Sequence, residues 1–399
     1  MKKYIIANAN IITRERTIPK GALCISSGKI DAVWEYLPEN ISKDIPVYDA
    51  EGSYISPGFI DIHLHGGNGS DFLSGDSDKN IECCKMHMQH GTTSLVPTFS
   101  TSDYTTYRNA LRGISETMKN MKGMADVPNI LGVHMEGPYL SPSQLGAQSP
   151  DFIIKPDEKD YIPLLEDYPF ILRWTIAPET EGVLSMVRKL APLGIHFSIG
   201  HSDALFEDVI KAYELGVNCI THLYSACSTV RRINAYRHAG IIEAAYYLDD
   251  MNVEIIADGK HLPPSLLKLI YKIKGRERVC LITDAISAAG LSPDLGEIYD
   301  MSSKQTIIIE DGVGKLKDRS AFAGSIATAD LLVHNMVKLA DVPLIDAVKM
   351  MSYNPAKLIG MENKKGSIAN GMDADLIMFN DDIQIQKVIV AGQEVYNEK

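Results

Sequence analysis

Residues 195–222 read IHFSIGHSDALFEDVIKAYELGVNCITH. A short apolar run, Ile195–His201, ends in a histidine. Ala204–Leu215 then carries apolar residues at helical spacing, and Gly216 stops it. A second apolar run, Cys219–His222, again ends in a histidine. The segment is therefore a strand–helix–strand unit with a metal-ligand type of side chain at the C-terminal end of each strand.

Outward from this segment the same unit repeats. Ile55–His63, Thr93–Thr98, Ile130–Glu136, Ile171–Pro178, Val253–Asp258 and Val279–Asp284 complete a set of eight apolar runs, and Asp78–His90 and Tyr104–Met118 have helical spacing. Eight such units predict an α/β fold with a closed parallel (β/α)8 barrel rather than an open sheet. The ends of the chain read differently. Tyr4–Ile6, Ile11–Thr13, Ala22–Ser26, Ile30–Val33 and Pro46–Asp49 are short strand-like runs, and so are Gly366–Ile368, Ala374–Phe379, Ile385–Val390 and Gln393–Tyr396. The expected organisation is a small β-sandwich domain built from 1–54 and 362–399 around a barrel spanning 55–361.

Composition narrows the class. The chain has 399 residues, 45% hydrophobic and 23% charged, which suits a globular enzyme with one large barrel. The formal charge of −12 offers no basic surplus for displacing counterions from a polyanion, so no nucleic-acid partner is expected. Cys24, Cys83, Cys84, Cys219, Cys227 and Cys280 show no CxxC spacing and read as reduced thiols. No apolar run is long enough to span a bilayer, and the N-terminus lacks a signal-like apolar region. A cytoplasmic protein without a membrane partner is the expectation.

The polar residues at the strand ends carry the chemistry. His63 and His65 close the first run, Glu136 the third, His201 the fifth, His222 the sixth, Asp258 the seventh and Asp284 the eighth. In a (β/α)8 barrel these ends converge on one face. A single histidine among eleven is more often a packing residue than a ligand; several at barrel strand ends are not. Glu136, His201 and His222 form a candidate three-ligand site for Zn2+ or Fe2+, with a position open to water. His63 and His65 lie on one side of their strand and add two imidazoles. Asp284 either caps a following helix or, beside a metal, moves a proton between water and a leaving group. No GxSxG motif and no P-loop lysine is present.

These residues sit in motifs that resemble the N-acetylglucosamine-6-phosphate deacetylases of the amidohydrolase superfamily. The resemblance spans nearly the whole chain: SPGFIDIHLHG at 56–66, GTTSLVPT at 91–98, HMEGPYLSP at 134–142, SIGHSDA at 198–204, THLYSA at 221–226, ADGKHL at 257–262, LITDAISAAG at 281–290 and AFAGS at 321–325, with NPAKLIG and GSIANGMDADL toward the end. It implies that Glu136, His201 and His222 are the principal metal ligands and that His63 and His65 permit a second metal. Asp284 becomes general base and then general acid, with a metal-bound hydroxide as nucleophile. His261 becomes a substrate contact that helps polarise the acetamide. The implied substrate-binding set is Ala147, Gln148, Ser225, Ala226, Arg237, His261, Phe322, Ala323 and Gly324. Gln148 stands where that family usually has histidine, and Ser225 where it usually has asparagine. Arg237 matches the phosphate-binding arginine, with Arg231 and Arg232 as alternatives.

The resemblance further implies one or two divalent metals per subunit, an N-acetyl amino sugar 6-phosphate as substrate, acetate and the free amino sugar phosphate as products, and a homodimer. Two other readings remain open: a related amidohydrolase acting on a different N-acylated sugar or amine, and a non-catalytic sugar-phosphate binder.

Overall fold

The computed structural model describes residues 3–301 and 303–398. Eight parallel strands form the barrel: Phe59–Leu64, Thr92–Phe99, Val133–Glu136, Ile171–Ile176, His196–Ile199, Cys219–Ile220, Asn252–Ile255 and Val279–Leu281, each paired with the next along the chain. Between the last strand and the first, closure comes from the residues just past the strand ends. Asp284 N donates to His63 O at 2.9 Å, and His65 N donates to Ala285 O at 2.7 Å. The Thr283 hydroxyl donates to the buried Asp61 carboxylate at 2.5 Å.

Most of the expected strands and helices are present with shifted bounds; Tyr4–Ile6 and Ile11–Thr13 merge into one strand, Tyr4–Ile12, and Gly366–Ile368 is irregular chain rather than a strand. The helices run Ser77–Gln89, Tyr104–Met121 and Phe206–Glu214, and each of the first two is capped by an aspartate side chain, Asp76 and Asp103. Two expected runs are each divided in the structure. Ile130–Glu136 becomes Asn129–Ile130 and Val133–Glu136. Ile55–His63 is two strands, Tyr54–Pro57 and Phe59–Leu64. The break is at Gly58, whose N–H donates to Asp375 O and where a Cβ would sit 2.1 Å from the Thr93 side chain. The first half belongs to the terminal sheet and the second to the barrel.

That terminal sheet has eight strands drawn from both ends of the chain. Tyr54–Pro57 is flanked by Tyr4–Ile12 on one side and Leu376–Phe379 on the other. The sheet doubles over its own core into a small β-sandwich. Leu23 and Ile25, near one end of the strand order, share an apolar cluster with Ile389, near the other. Gly28 O accepts from Ala374 N at 2.9 Å across the join.

Two elements were not anticipated. After the eighth barrel strand the chain forms a four-stranded antiparallel sheet, Gly296–Asp300, Gln305–Glu310, Val313–Leu316 and Phe322–Ser325. After the sixth strand, Arg231–Ile233 and Tyr236–His238 form an exposed hairpin. No helix among the described residues is long and apolar enough to cross a membrane.

Candidate metal centre and active site

The strand ends deliver their polar side chains to one point. Glu136 Oε1 lies 3.2 Å from His201 Nε2 and 3.0 Å from His222 Nε2, and the two imidazole nitrogens are 3.1 Å apart. Those separations are close to the edge of a tetrahedron with bonds of about 2 Å, roughly 3.3 Å. On the other side of the carboxylate, His63 Nε2 is 3.3 Å from Oε1 and His65 Nε2 is 3.3 Å from Oε2. Two candidate metal-binding triads therefore share Glu136: with His201 and His222, and with His63 and His65.

The tautomers show that the donors fit a cation. His201 Nδ1 is 3.0 Å from the Gln144 carbonyl, and His222 Nδ1 is 3.1 Å from the Ser225 carbonyl. A carbonyl only accepts, so each Nδ1 carries hydrogen and each imidazole turns its Nε2 inward, the atom left to bind a cation. His63 Nδ1 is likewise held 3.2 Å from the Glu254 carboxylate, and its Nε2 is buried with no hydrogen-bond partner. Lone pairs and a carboxylate oxygen converging at about 3 Å repel one another unless positive charge lies between them. Burial disfavours a charged His63, but Glu136, Glu254 and Asp284 outweigh it and raise its pKa to about 9. Burial likewise opposes a charged Glu136, yet the surrounding imidazoles hold its carboxyl well below the usual range. A divalent cation would supply positive charge at the same place.

The backbone at these positions is unusual. His201, His222 and Asp284 have φ of 48°, 28° and 49°, in the left-handed region that non-glycine residues rarely adopt. Each follows immediately or closely on a barrel strand, and the reversed φ turns its side chain across the barrel mouth. Such conformations cost on the order of 1–3 kcal/mol each and concentrate at functional sites.

Asp284 does not cap a helix. Its Oδ1 lies 3.2 Å from His65 Nε2 and 3.4 Å from His63 Nε2. It lines a cavity of about 290 Å3 together with His65, Glu136, His201 and His222. His261 is on the same wall. Its Nδ1 is 2.7 Å from Asp258 Oδ2, and the other Asp258 oxygen accepts from the backbone N–H groups of Lys260 and His261. The residue ending the seventh apolar run thus orients His261.

Ala147, Gln148, Ser225, Ala226, Phe322, Ala323 and Gly324 all line the cavity. Gln148 is already engaged by protein groups. Its Oε1 accepts from Thr101 N at 2.8 Å and Thr101 Oγ1 at 2.9 Å, which turns Nε2 toward Glu136 Oε2 at 2.7 Å. Gly324 has φ 89°, and a Cβ there would meet Ile286 Cγ2 at 2.4 Å, so glycine is required by both its backbone and the packing of Ile286. The arginines stand apart: none of Arg231, Arg232 and Arg237 lines this cavity. Arg231 pairs with Asp203, and Arg232 and Arg237 are exposed opposite each other on the hairpin.

A model of the amidohydrolase family matches residues 54–395. The chain belongs to that family. Its N-acetylglucosamine-6-phosphate deacetylase branch is indicated by similar proteins. One of that name from Haemophilus influenzae is 32% identical, covering 98% of this chain and 99% of its own. The structure of N-acetylglucosamine-6-phosphate deacetylase from Pasteurella multocida matches with a TM-score of 0.90 at 28% identity, covering 100% of both chains. N-acetylgalactosamine-6-phosphate deacetylase from Shewanella sp. is 28% identical over 98% of this chain and 96% of its own.

Beneath the metal donors, this amidohydrolase has a buried polar layer that the apolar-run reading passed over. Arg173 and Glu254, 1% and 0% exposed, form an ion pair inside the barrel. Arg173 Nη1 also donates to Ile62 O at 2.7 Å, and Glu254 Oε2 receives His63 Nδ1. Beside them, Thr175, Ser198 and Thr221 share hydroxyl bonds of 2.8–2.9 Å, and His134 Nε2 joins at 2.7 Å from Thr175 Oγ1. The signal was a charged residue inside an apolar strand, as in ILRWTI and NVEI, at the inward phase of the two-residue period.

Proposed function

We propose that this amidohydrolase hydrolyses the acetamide of N-acetylglucosamine 6-phosphate, giving acetate and glucosamine 6-phosphate. The observation that carries the reading is the placing of Asp284 against the shared carboxylate–imidazole donor set, in one cavity with His261. Relatives named as deacetylases of N-acetyl amino sugar phosphates support the choice of substrate.

Glu136, His201 and His222 would hold one Zn2+ or Fe2+ and His63 and His65 a second; such an ion, when bound, lowers the pKa of water to about 7 and polarises a carbonyl. Asp284 accepts a proton from the attacking water. It returns that proton to the amide nitrogen as the C–N bond breaks, so that the amine leaves neutral and the acyl carbon leaves as acetic acid, which gives up its remaining proton to solvent as acetate. His261, with its Nδ1–H committed to Asp258, presents Nε2 to the substrate. Neutral, that nitrogen accepts from a sugar hydroxyl; protonated, it donates to the acyl oxygen as negative charge builds there.

A second reading is a related N-acylated sugar without phosphate. It is favoured by one observation: no arginine or lysine side chain among the described residues lines the cavity. Acetate release from N-acetylglucosamine 6-phosphate, N-acetylgalactosamine 6-phosphate and unphosphorylated N-acetylglucosamine, each with added Zn2+ or Fe2+, separates the readings. Preference for the phosphorylated glucosamine supports the first. Equal or better turnover of the unphosphorylated sugar replaces it with the second, and no release from any of the three rejects both.

A further inference from the structure

Asp300 ends the strand Gly296–Asp300 of the four-stranded sheet, and its side chain lines the cavity described above. It is 1% exposed. One carboxylate oxygen, Oδ2, accepts from Ser303 N at 2.7 Å and from the Ser303 hydroxyl at 2.6 Å. The other, Oδ1, is buried and meets no donor among the described residues. Neither metal-binding triad includes this residue. A buried acceptor left without a donor is costly, and more so when it is charged. Burial accordingly pushes the Asp300 carboxyl above the usual range, although the two bonds from Ser303 act in the opposite direction.

Lys304, just beyond this strand, is anchored by two contacts. Lys304 Nζ donates to Ser102 Oγ at 3.3 Å and stands 3.8 Å above the centre of the Phe152 ring. These contacts hold the hairpin end against the wall that follows the second barrel strand, where Ser100 also lines the cavity. Ser225 and Ala226 follow the sixth strand and lie across the mouth. A carboxylate on the near wall repels phosphate and matches hydroxyl donors.

We propose that Asp300 is a substrate-binding residue whose free carboxylate oxygen accepts a hydrogen bond from a ring hydroxyl of the N-acylated sugar, at C3 or C4. The assignment rests on the reading that the cavity takes such a sugar. With the acetamide at C2 directed to Asp284 and the metal donors, the hydroxyl at C3 is the next donor along the ring away from the anomeric carbon, and the hydroxyl at C4 follows it.

The test is kinetic and uses the metal-loaded enzyme with three substrates: N-acetylglucosamine 6-phosphate and its 3-deoxy and 4-deoxy forms. Asp300→Asn is the variant, because the amide oxygen can still accept from Ser303 while a donor replaces the free acceptor. A charged hydrogen bond of this kind is worth about ten- to a hundredfold in kcat/KM. The expected result is a loss of that size for Asp300→Asn on the full sugar. On one of the two deoxy sugars, wild type and variant should differ by less than about threefold. A purely structural role would lower turnover of all three substrates equally and would shift the melting temperature or metal content, and that pattern overturns the assignment. So does an Asp300→Asn enzyme within about twofold of wild type on the full sugar. A wild-type enzyme that neither turns over nor binds any of these sugars by calorimetry overturns the sugar reading itself, and Asp300 with it.

Discussion

Replacing Glu254 by methionine leaves the Arg173 guanidinium inside the barrel with only the Ile62 carbonyl for company. Both partners are essentially inaccessible to water, so the charge cannot be rehydrated in place. Breaking such a pair by removing one partner costs about 3–5 kcal/mol. Taking about 2.1 cal/mol/K of unfolding entropy per residue, a chain of 399 residues gains about 0.8 kcal/mol/K at its midpoint. The expected fall in melting temperature is therefore about 4–6 °C. Arg173→Met alone strands the Glu254 carboxylate and should cost a similar amount. The double variant, in which two apolar side chains fill the space, should recover most of the loss, since a buried pair and its hydrophobic replacement are often close in stability. Calorimetry on chelator-treated protein reads this directly, because bound metal would otherwise add its own stabilisation. A second readout follows from the His63 Nδ1 contact: Glu254→Gln should weaken metal binding at the His63–His65 site about 10- to 100-fold. Glu254→Met protein that melts within 1 °C of wild type, or a double variant no better than the singles, would refute the electrostatic reasoning.

Three further outcomes are expected. Asp284→Asn should retain fold and metal content while losing about 100- to 10,000-fold in kcat, measured by acetate release; near-normal turnover would remove Asp284 from the proton-transfer role. Gln148→Ala frees Glu136 Oε2 from its amide partner and should weaken metal affinity about tenfold in a chelator competition, and unchanged affinity would show that this bond does not position Glu136. His87 is buried with Nε2 2.8 Å from Gly66 O, and burial lowers its pKa to about 4. The unfolded chain, with histidine near 6.5, therefore binds more protons between pH 6.5 and 4. Stability from this residue is full above about pH 6.5 and is lost as pH falls toward 4, by up to about 3 kcal/mol. His87→Gln should flatten that part of the stability-against-pH curve; an unaltered slope in urea titrations would contradict it.

Much of the barrel was legible because its evidence is local and repeated. Each strand is a short apolar run, and a helix of period 3.6 separates many of them, so Phe206–Glu214 and its flanking strands could be read from residues 195–222 alone. The donor set was legible for a topological reason. Once the strands are parallel, His63, Glu136, His201, His222 and Asp284 must share a face whatever their separation in sequence. Gly58 escaped because the apolar run continues on both sides of it, although Pro57-Gly58 is itself a turn signal, and the approach of Thr93 shows why glycine stands there. The Arg173–Glu254 pair escaped because averaging a strand as apolar hides a charge at its inward position.

The four-stranded sheet did have a signal. Gln305–Glu310 and Val313–Leu316 flank Asp311-Gly312, with φ of 55° and 74°, the pairing expected of a two-residue hairpin turn. Asp300 had none, since nothing in its local sequence shows that the hairpin end folds into the cavity. The same limit applied to Gln148. Its residue type allowed a hydroxyl contact, but the Thr101 N–H that directs its amide toward Glu136 is distant in sequence and visible only in three dimensions.

The most direct test of metal-dependent amide hydrolysis at this site is acetate release before chelation, after it and after metal is restored, with metal content measured on the same samples. Activity should vanish with the metal and return with one or two Zn2+ or Fe2+ per chain, and His201→Ala with His222→Ala should abolish both metal retention and the return of activity. Undiminished acetate release from metal-free protein, or full activity in the double variant, would contradict it.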